Sequence, residues 1–221
     1  MSNEEIVKQS IVYFNEHKKR FFEEYSKDIT VSDDKLAIFT AGMSGAGKTE
    51  FSIFLKENDT NLLHIDTDEI REFFRPIGYD GQNSNLFQKV SSRGFDQLFS
   101  YALKNNFSLI CDSNFATLDV EIQNIQRLLK NNYKIEIFYL YNEPKVCFEY
   151  ATRREIVTHR KVPKDVFLRS NENSYKTVLT IKDMFQDDVT LNFVDKRDNQ
   201  IYNNIDSDFI KNAIGENFEI R

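Results

Sequence analysis

The sequence predicts an α/β fold: a P-loop kinase-like, three-layer αβα sandwich with a five-stranded, mainly parallel sheet and an N-terminal helix. Three observations lead to it. Short apolar runs alternate with segments of helical periodicity, the pattern of parallel strands joined by crossover helices. The first run passes through a glycine-rich turn directly into a helical segment. Two later helical segments close with the same punctuation, Leu103-Lys104-Asn105-Asn106-Phe107 and Leu129-Lys130-Asn131-Asn132-Tyr133. Each has a basic last turn, followed by asparagine suited to a left-handed cap ahead of a strand.

The elements follow in order. Residues 2–25 start with Ser2 and Glu5 at capping-box spacing and carry Val7, Ile11, Phe14, Phe21 and Tyr25 on one stripe, an amphipathic helix. Leu36-Ala37-Ile38-Phe39 is the first strand, and similar runs recur at Leu62 to Ile65, Phe107 to Cys111, Ile135 to Tyr141 and Val189 to Val194. Helical patterns fill the gaps at Thr49 to Glu57, Leu86 to Lys104, Val120 to Lys130, and Lys145 to Phe185 with a break near Pro163. From Asp195 onward the chain is polar and reads as peripheral.

The chain has 221 residues, 40% hydrophobic and 29% charged, enough for one substantial core. A single domain over 1–221 is expected, with an N-terminal helix in 1–30, a binding core in 36–195 and a tail in 196–221. The net charge of −6 argues against a broad basic face for nucleic acid, while leaving room for a small pocket that takes a compact anion. Cys111 and Cys147 both border apolar runs and read as buried free thiols. The N-terminus lacks an apolar signal core, and no stretch approaches the about 18 apolar residues of a membrane span. The expectation is a cytoplasmic protein without a membrane partner.

Three of the seven glycines fall within Gly42-Met43-Ser44-Gly45-Ala46-Gly47-Lys48-Thr49, after the first strand and before the first crossover helix. This is G-x-x-x-x-G-K-[ST] in the context that gives it meaning. Glycines allow successive backbone N–H groups to converge on phosphate oxygens, and the helix N-terminus adds a favourable dipole. Lys48 is expected on the β- and γ-phosphates and the Thr49 hydroxyl on Mg²⁺, with the whole loop as the nucleotide site.

The second strand runs out through Ile65-Asp66-Thr67-Asp68-Glu69-Ile70-Arg71, delivering carboxylates and an arginine to the edge where ligands of open α/β sheets bind. By strand alternation Asp66 and Asp68 share a face; Asp68 is the candidate base for an acceptor hydroxyl and also suits the N-cap of a helix from Glu69 to Phe74. Asp66 and Arg71 are candidate acceptor contacts. The third strand ends in Asp112, a Walker B-like carboxylate for Mg²⁺ or its water, and Asn114 follows as a further acceptor contact. Arg153, Arg154 and Arg160 fall on or after a helix; such a cluster is ordinarily a solvated face, but beside a phosphate loop it can clamp the γ-phosphate. His64 reads as a core or edge histidine, and His17 and His159 have no metal-spaced partner, so no transition-metal site is expected. The phenylalanines follow helical faces and read as core.

These residues together resemble the zeta toxin family of P-loop kinases, the toxin halves of bacterial toxin–antitoxin pairs. The resemblance rests on the N-terminal helix, the loop from Gly42 to Thr49, Ile65-Asp66-Thr67-Asp68, and Arg153 and Arg160 followed by Pro163, spanning most of residues 1–195. It implies transfer of phosphate from ATP or GTP to the sugar 3′-hydroxyl of UDP-N-acetylglucosamine, and a cognate antitoxin that blocks the nucleotide site. It also implies Asp68 as base and Arg153 and Arg160 as the paired clamp, Arg154 being an alternative to the first. The chain departs from the family where Glu-Gly-Thr is usual and Asp112-Ser113-Asn114 stands instead, which alters the hydrogen-bonding pattern offered to an acceptor. Another UDP-sugar, a nucleotide or a different small hydroxyl compound therefore stays open as acceptor. A polynucleotide 5′-kinase and an ATP-dependent binding module without transfer are the competing readings.

Overall fold

Six of the seven residues of β1 (Leu36–Gly42) are buried, as expected for a parallel strand covered on both faces. The computed structural model describes residues 2–158 and 163–215. The other strands are β2 (Leu63–Asp66), β3 (Leu109–Asp112), β4 (Lys134–Tyr141), β5 (Thr190–Asp195) and β6 (Gln200–Tyr202), in the spatial order β2-β3-β1-β4-β5-β6. The first five run parallel, and β6 pairs antiparallel with β5. The sheet thus has one strand more than the sequence predicts. β6 is three residues long and exposed throughout, so it offers no apolar run to recognise.

The helices are α1 (Asn3–Glu16), α2 (Lys18–Tyr25), α3 (Lys48–Asn58), α4 (Thr67–Glu72), α5 (Ser84–Asn105), α6 (Leu118–Lys130), α7 (Pro144–Thr158), α8 (Lys164–Phe185) and α9 (Ser207–Ile214). Helices cover both faces of the sheet. Phe51 of α3 meets Phe138 with ring centroids 5.1 Å apart, while Tyr175 of α8 meets the next strand residue, Tyr139, at 6.5 Å. Successive strand residues point to opposite faces, so these two contacts mark the two helical layers.

The shared punctuation of α5 and α6 is a pair of Schellman closures. Phe107 N–H donates to Ala102 O (3.0 Å) and Tyr133 N–H to Leu128 O (3.1 Å), with Asn106 (φ +55°) and Asn132 (φ +58°) left-handed. The N-terminal stripe forms two helices instead of the expected one. Ser2 and Glu5 make the capping box, and the stripe divides at His17 (φ −107°, ψ 15°), whose Nδ1 lies 2.9 Å from Tyr13 O and whose ring stacks on Tyr13 at 4.2 Å. Phe14 and Phe21 are fully buried and meet Phe74 (6.4 Å) and Phe73 (5.2 Å). This packing backs α4 from behind. At Gly94 of α5 an added Cβ would fall 2.9 Å from Ile70 Cγ2 and 3.4 Å from Phe21, so glycine is what lets α5 approach α4 this closely.

Residues 200–214 close the far edge of the sheet. Although polar overall, they bury Ile210 of α9, and Asp206 caps that helix by accepting from Phe209 N–H (2.8 Å). Cys111 and Cys147 are buried free thiols. Among the described residues no helix is long and apolar enough to cross a membrane.

Candidate active site

β1 lies between β3 and β4, and the chain leaves it through the glycine-rich loop into α3, so the loop occupies the sheet's topological switch point. Gly47 caps α3 in the left-handed conformation (φ +89°) and no side chain caps that helix, which leaves its first N–H groups to an anion. Lys48 is not the exposed side chain a glycine-rich loop suggests. It is 9% exposed, and its ammonium donates to the carbonyls of Gly42 (3.0 Å) and Met43 (2.9 Å), within the loop. Burial pushes its pKa down to about 8, against the opposite pull of the Asp112 carboxylate.

The end of β2 differs from the sequence reading. The strand stops at Asp66, which is itself the N-cap of α4 and accepts from Asp68 N–H (2.8 Å). Asp68 therefore lies in the first helical turn and neither caps nor shares a strand face with Asp66. Burial and the neighbouring charges of Asp68 and Asp112 push the Asp66 carboxyl upward. Among the described residues, a guanidinium group stands on each oxygen of the Asp68 carboxylate. Arg71 Nη1 binds Oδ1, and Arg154 Nη2 donates to Oδ2 at 2.9 Å.

Arg71 stands behind this carboxylate and not at the open surface. It is 1% exposed, and its Nη2 binds Gln88 Oε1 on α5. A buried guanidinium needs a counterion, and Asp68 supplies it, so the pair ties the carboxylate to two helices. Gln88 escaped sequence reasoning because nothing in its neighbourhood marks it. His64 is buried with Nδ1 2.8 Å from Glu69 Oε2, a contact that holds the Glu69 carboxyl below its usual range.

Thr40, Asp112 and Asp66 are register partners across β1, β3 and β2, so they project from one face at the strand ends. Asp112 Oδ1 accepts from Thr40 Oγ1 (2.9 Å), while its buried Oδ2 has no partner. An orphaned carboxylate oxygen beside the loop could hold a hard cation or its water. Among the described residues no group of three or more His, Cys, Asp or Glu could hold a metal, so a cation here would take its remaining ligands from phosphate and water. Asn114 Nδ2 donates to Ser170 Oγ (3.3 Å), linking the loop after β3 to α8.

The arginines separate by helix phase. At Gly45 (φ +81°) an added Cβ would meet Cys147 O at 2.2 Å and Ala151 N at 3.2 Å, so α7 lies directly against the phosphate loop. Cys147, Ala151 and Arg154 are spaced i, i+4, i+7 on the stripe that faces it. Both arginines are exposed, but Arg154 reaches Asp68, whereas the Arg153 guanidinium lies 5.9 Å from the Tyr150 ring. Arg160 lies outside the described residues.

The fold and this edge define a phosphate-loop α/β protein of kinase type. A family model described as zeta toxin matches residues 22–207, and the chain belongs to that family. A solved structure of the PezAT chromosomal toxin–antitoxin system of Streptococcus pneumoniae superposes with a TM-score of 0.69 at 16% identity, covering 86% of this chain and 80% of that one. The AvrRxo1-ORF1:ORF2 complex superposes with a TM-score of 0.71 at 12% identity, covering 91% and 72%. The same complex with ATP gives 0.66 at 11% identity, covering 96% and 71%. At these identities the likeness is one of fold. No curated protein sequence matches the chain.

Proposed function

We propose that this zeta-family chain is a phosphotransferase that moves the γ-phosphate of ATP or GTP to a hydroxyl group of a small molecule, a UDP-sugar such as UDP-N-acetylglucosamine at its 3′-hydroxyl. The supporting observation is the convergence of Asp68 and Arg154 beside the loop that buries Lys48. In this reading Lys48 exchanges its loop carbonyls for the β- and γ-phosphate oxygens. Asp68 orients the acceptor hydroxyl and takes its proton as the oxygen bonds to the γ-phosphorus and the nucleoside diphosphate leaves. Arg154 turns from Asp68 to the transferring phosphoryl group, where developing charge holds it more strongly. Mg²⁺ held by Thr49 and Asp112 would neutralise phosphate charge. Asp66 and Asn114 border the acceptor side, and Arg71 holds Asp68 in place.

The zeta toxin match and the toxin–antitoxin relative support a cognate antitoxin as partner. The buried free cysteines suit a reducing, cytoplasmic setting. Purified protein incubated with labelled ATP, Mg²⁺ and a panel of UDP-sugars, nucleotides and oligonucleotides tests the reading by mass spectrometry. A UDP-sugar heavier by one phosphate is expected. Phosphorylated oligonucleotide ends alone would assign a polynucleotide kinase, and no product in any arm would leave a binding module.

A further inference from the structure

A second lysine stands over the phosphate loop, from a part of the chain that the loop motif does not include. Lys196 follows β5, and its Cε lies 3.6 Å from the position where a Cβ on Gly47 would sit; Glu50 Oε2 is 3.8 Å from the same position. Gly47 caps α3, so the Lys196 stem lies across the uncapped N-terminus of that helix.

The turn that carries Lys196 is fixed from both sides. Its N–H donates to Tyr141 O (2.8 Å). The next residue, Arg197, grips Asp195 through Nε (2.9 Å to Oδ1) and Nη2 (2.6 Å to Oδ2), and its guanidinium lies 4.9 Å from the Tyr141 ring centroid and 3.7 Å from Glu143. By contrast the Lys196 side chain, half-buried, makes no hydrogen bond or ion pair with another described residue. A pinned backbone therefore presents an uncommitted ammonium to the rim of an anion cradle, in a chain whose net charge is −6.

Lys48 occupies the opposite end of the cradle, against the carbonyls of Gly42 and Met43. The backbone N–H groups between the two lysines are those that hold α- and β-phosphates in loops of this type. We propose that Lys196 is a donor-nucleotide residue that contacts the α/β end of the phosphate chain while Lys48 serves the β/γ end. This rests on the kinase reading and extends its donor site to the turn between β5 and β6.

The test is calorimetric binding of ATP and ADP, each with Mg²⁺, to wild type, Lys196→Met and Lys196→Arg. Methionine keeps the apolar stem and removes the charge, so ATP and ADP should both bind about tenfold more weakly, by the same factor, as for a lost charge-assisted hydrogen bond. Arginine should restore most of the affinity, and melting temperature should not change. A loss confined to ATP would overturn the assignment to the α/β end. Unchanged affinity with a lowered melting temperature would make Lys196 a strut for Glu50, against the proposal. If wild type binds neither nucleotide, the kinase reading fails and this inference with it; failure of the Lys196 variants alone leaves that reading intact.

Discussion

Arg154 Nη2 lies 2.9 Å from Asp68 Oδ2, joining residues 86 positions apart in front of the phosphate loop. Two separate packing events produce this meeting. Asp68 is held from behind by the buried Arg71 and through it by Gln88 of α5, while α7 is pressed onto the loop at Gly45, which puts Arg154 on the side of Asp68. Under the proposed function, this ion contact links the acceptor side to the phosphate side, and an incoming triphosphate would compete for it.

The helix phase predicts a difference between neighbouring arginines. Arg154→Ala should lower the initial rate of transfer to UDP-N-acetylglucosamine by about 10² to 10³, the scale of losing a donor to transition-state charge. Arg153→Ala should leave the rate within about threefold, since that side chain sits on Tyr150. Equal losses in the two variants would contradict the assignment.

Lys48→Met should abolish transfer with little effect on folding. The variant loses hydrogen bonds to Gly42 O and Met43 O, worth about 1 kcal/mol each, but relieves the burial that depresses the ammonium. Urea unfolding and a transfer assay on the same preparation check both halves of this expectation.

Glu121 of α6 supplies a pH dependence away from the loop. Burial raises its carboxyl to about 7, so the folded chain holds a proton that the unfolded chain, titrating near 4.5, has released. For an acid shifted upward, stability falls as pH rises from about 4.5 to 7 and stays reduced above that window. Glu121→Gln keeps an acceptor for Asn124 and removes the charge, so it should stabilise the protein at pH 8 by about 2–3 kcal/mol and change nothing at pH 4. Unfolding curves at the two pH values are the check, and a gain of equal size at both would contradict it.

Gly94→Ala tests the packing behind the site. The added methyl meets Ile70 on α4 at 2.9 Å and should destabilise by about 1–3 kcal/mol, with a lowered transfer rate as α4 shifts Asp68. Melting temperature and rate should fall together.

The layered fold was legible because its signals are local. The apolar runs of β1 to β5, the asparagines at 106 and 132, and the glycine-rich loop each state their own conformation through burial or backbone sterics. β6 was not, having no apolar run, and the break at His17 is a change of one residue's backbone angles that leaves the apolar stripe continuous, so periodicity does not carry it. At the site, the loop and the carboxylates could be read, but their division of labour could not. Whether Asp66 or Asp68 caps α4 depends on where β2 ends, by two residues. That Arg154, and not Arg153, reaches Asp68 was present in the Cys147, Ala151, Arg154 spacing, yet it needed Gly45 to show which stripe of α7 faces the loop. Lys196 and Gln88 reach the site from distant segments, where no spacing in the chain points to them.

The most direct measurement of the central claim is transfer by Asp68→Asn. Asparagine cannot take the acceptor's proton and leaves the buried Arg71 without its counterion, at about 1–3 kcal/mol of stability, while the cap on α4 stays because Asp66 provides it. Turnover with ATP and UDP-N-acetylglucosamine should fall by about 10² or more, with ATP affinity within about twofold of wild type and a folded chain by thermal melting. Wild-type turnover in this variant would contradict the account.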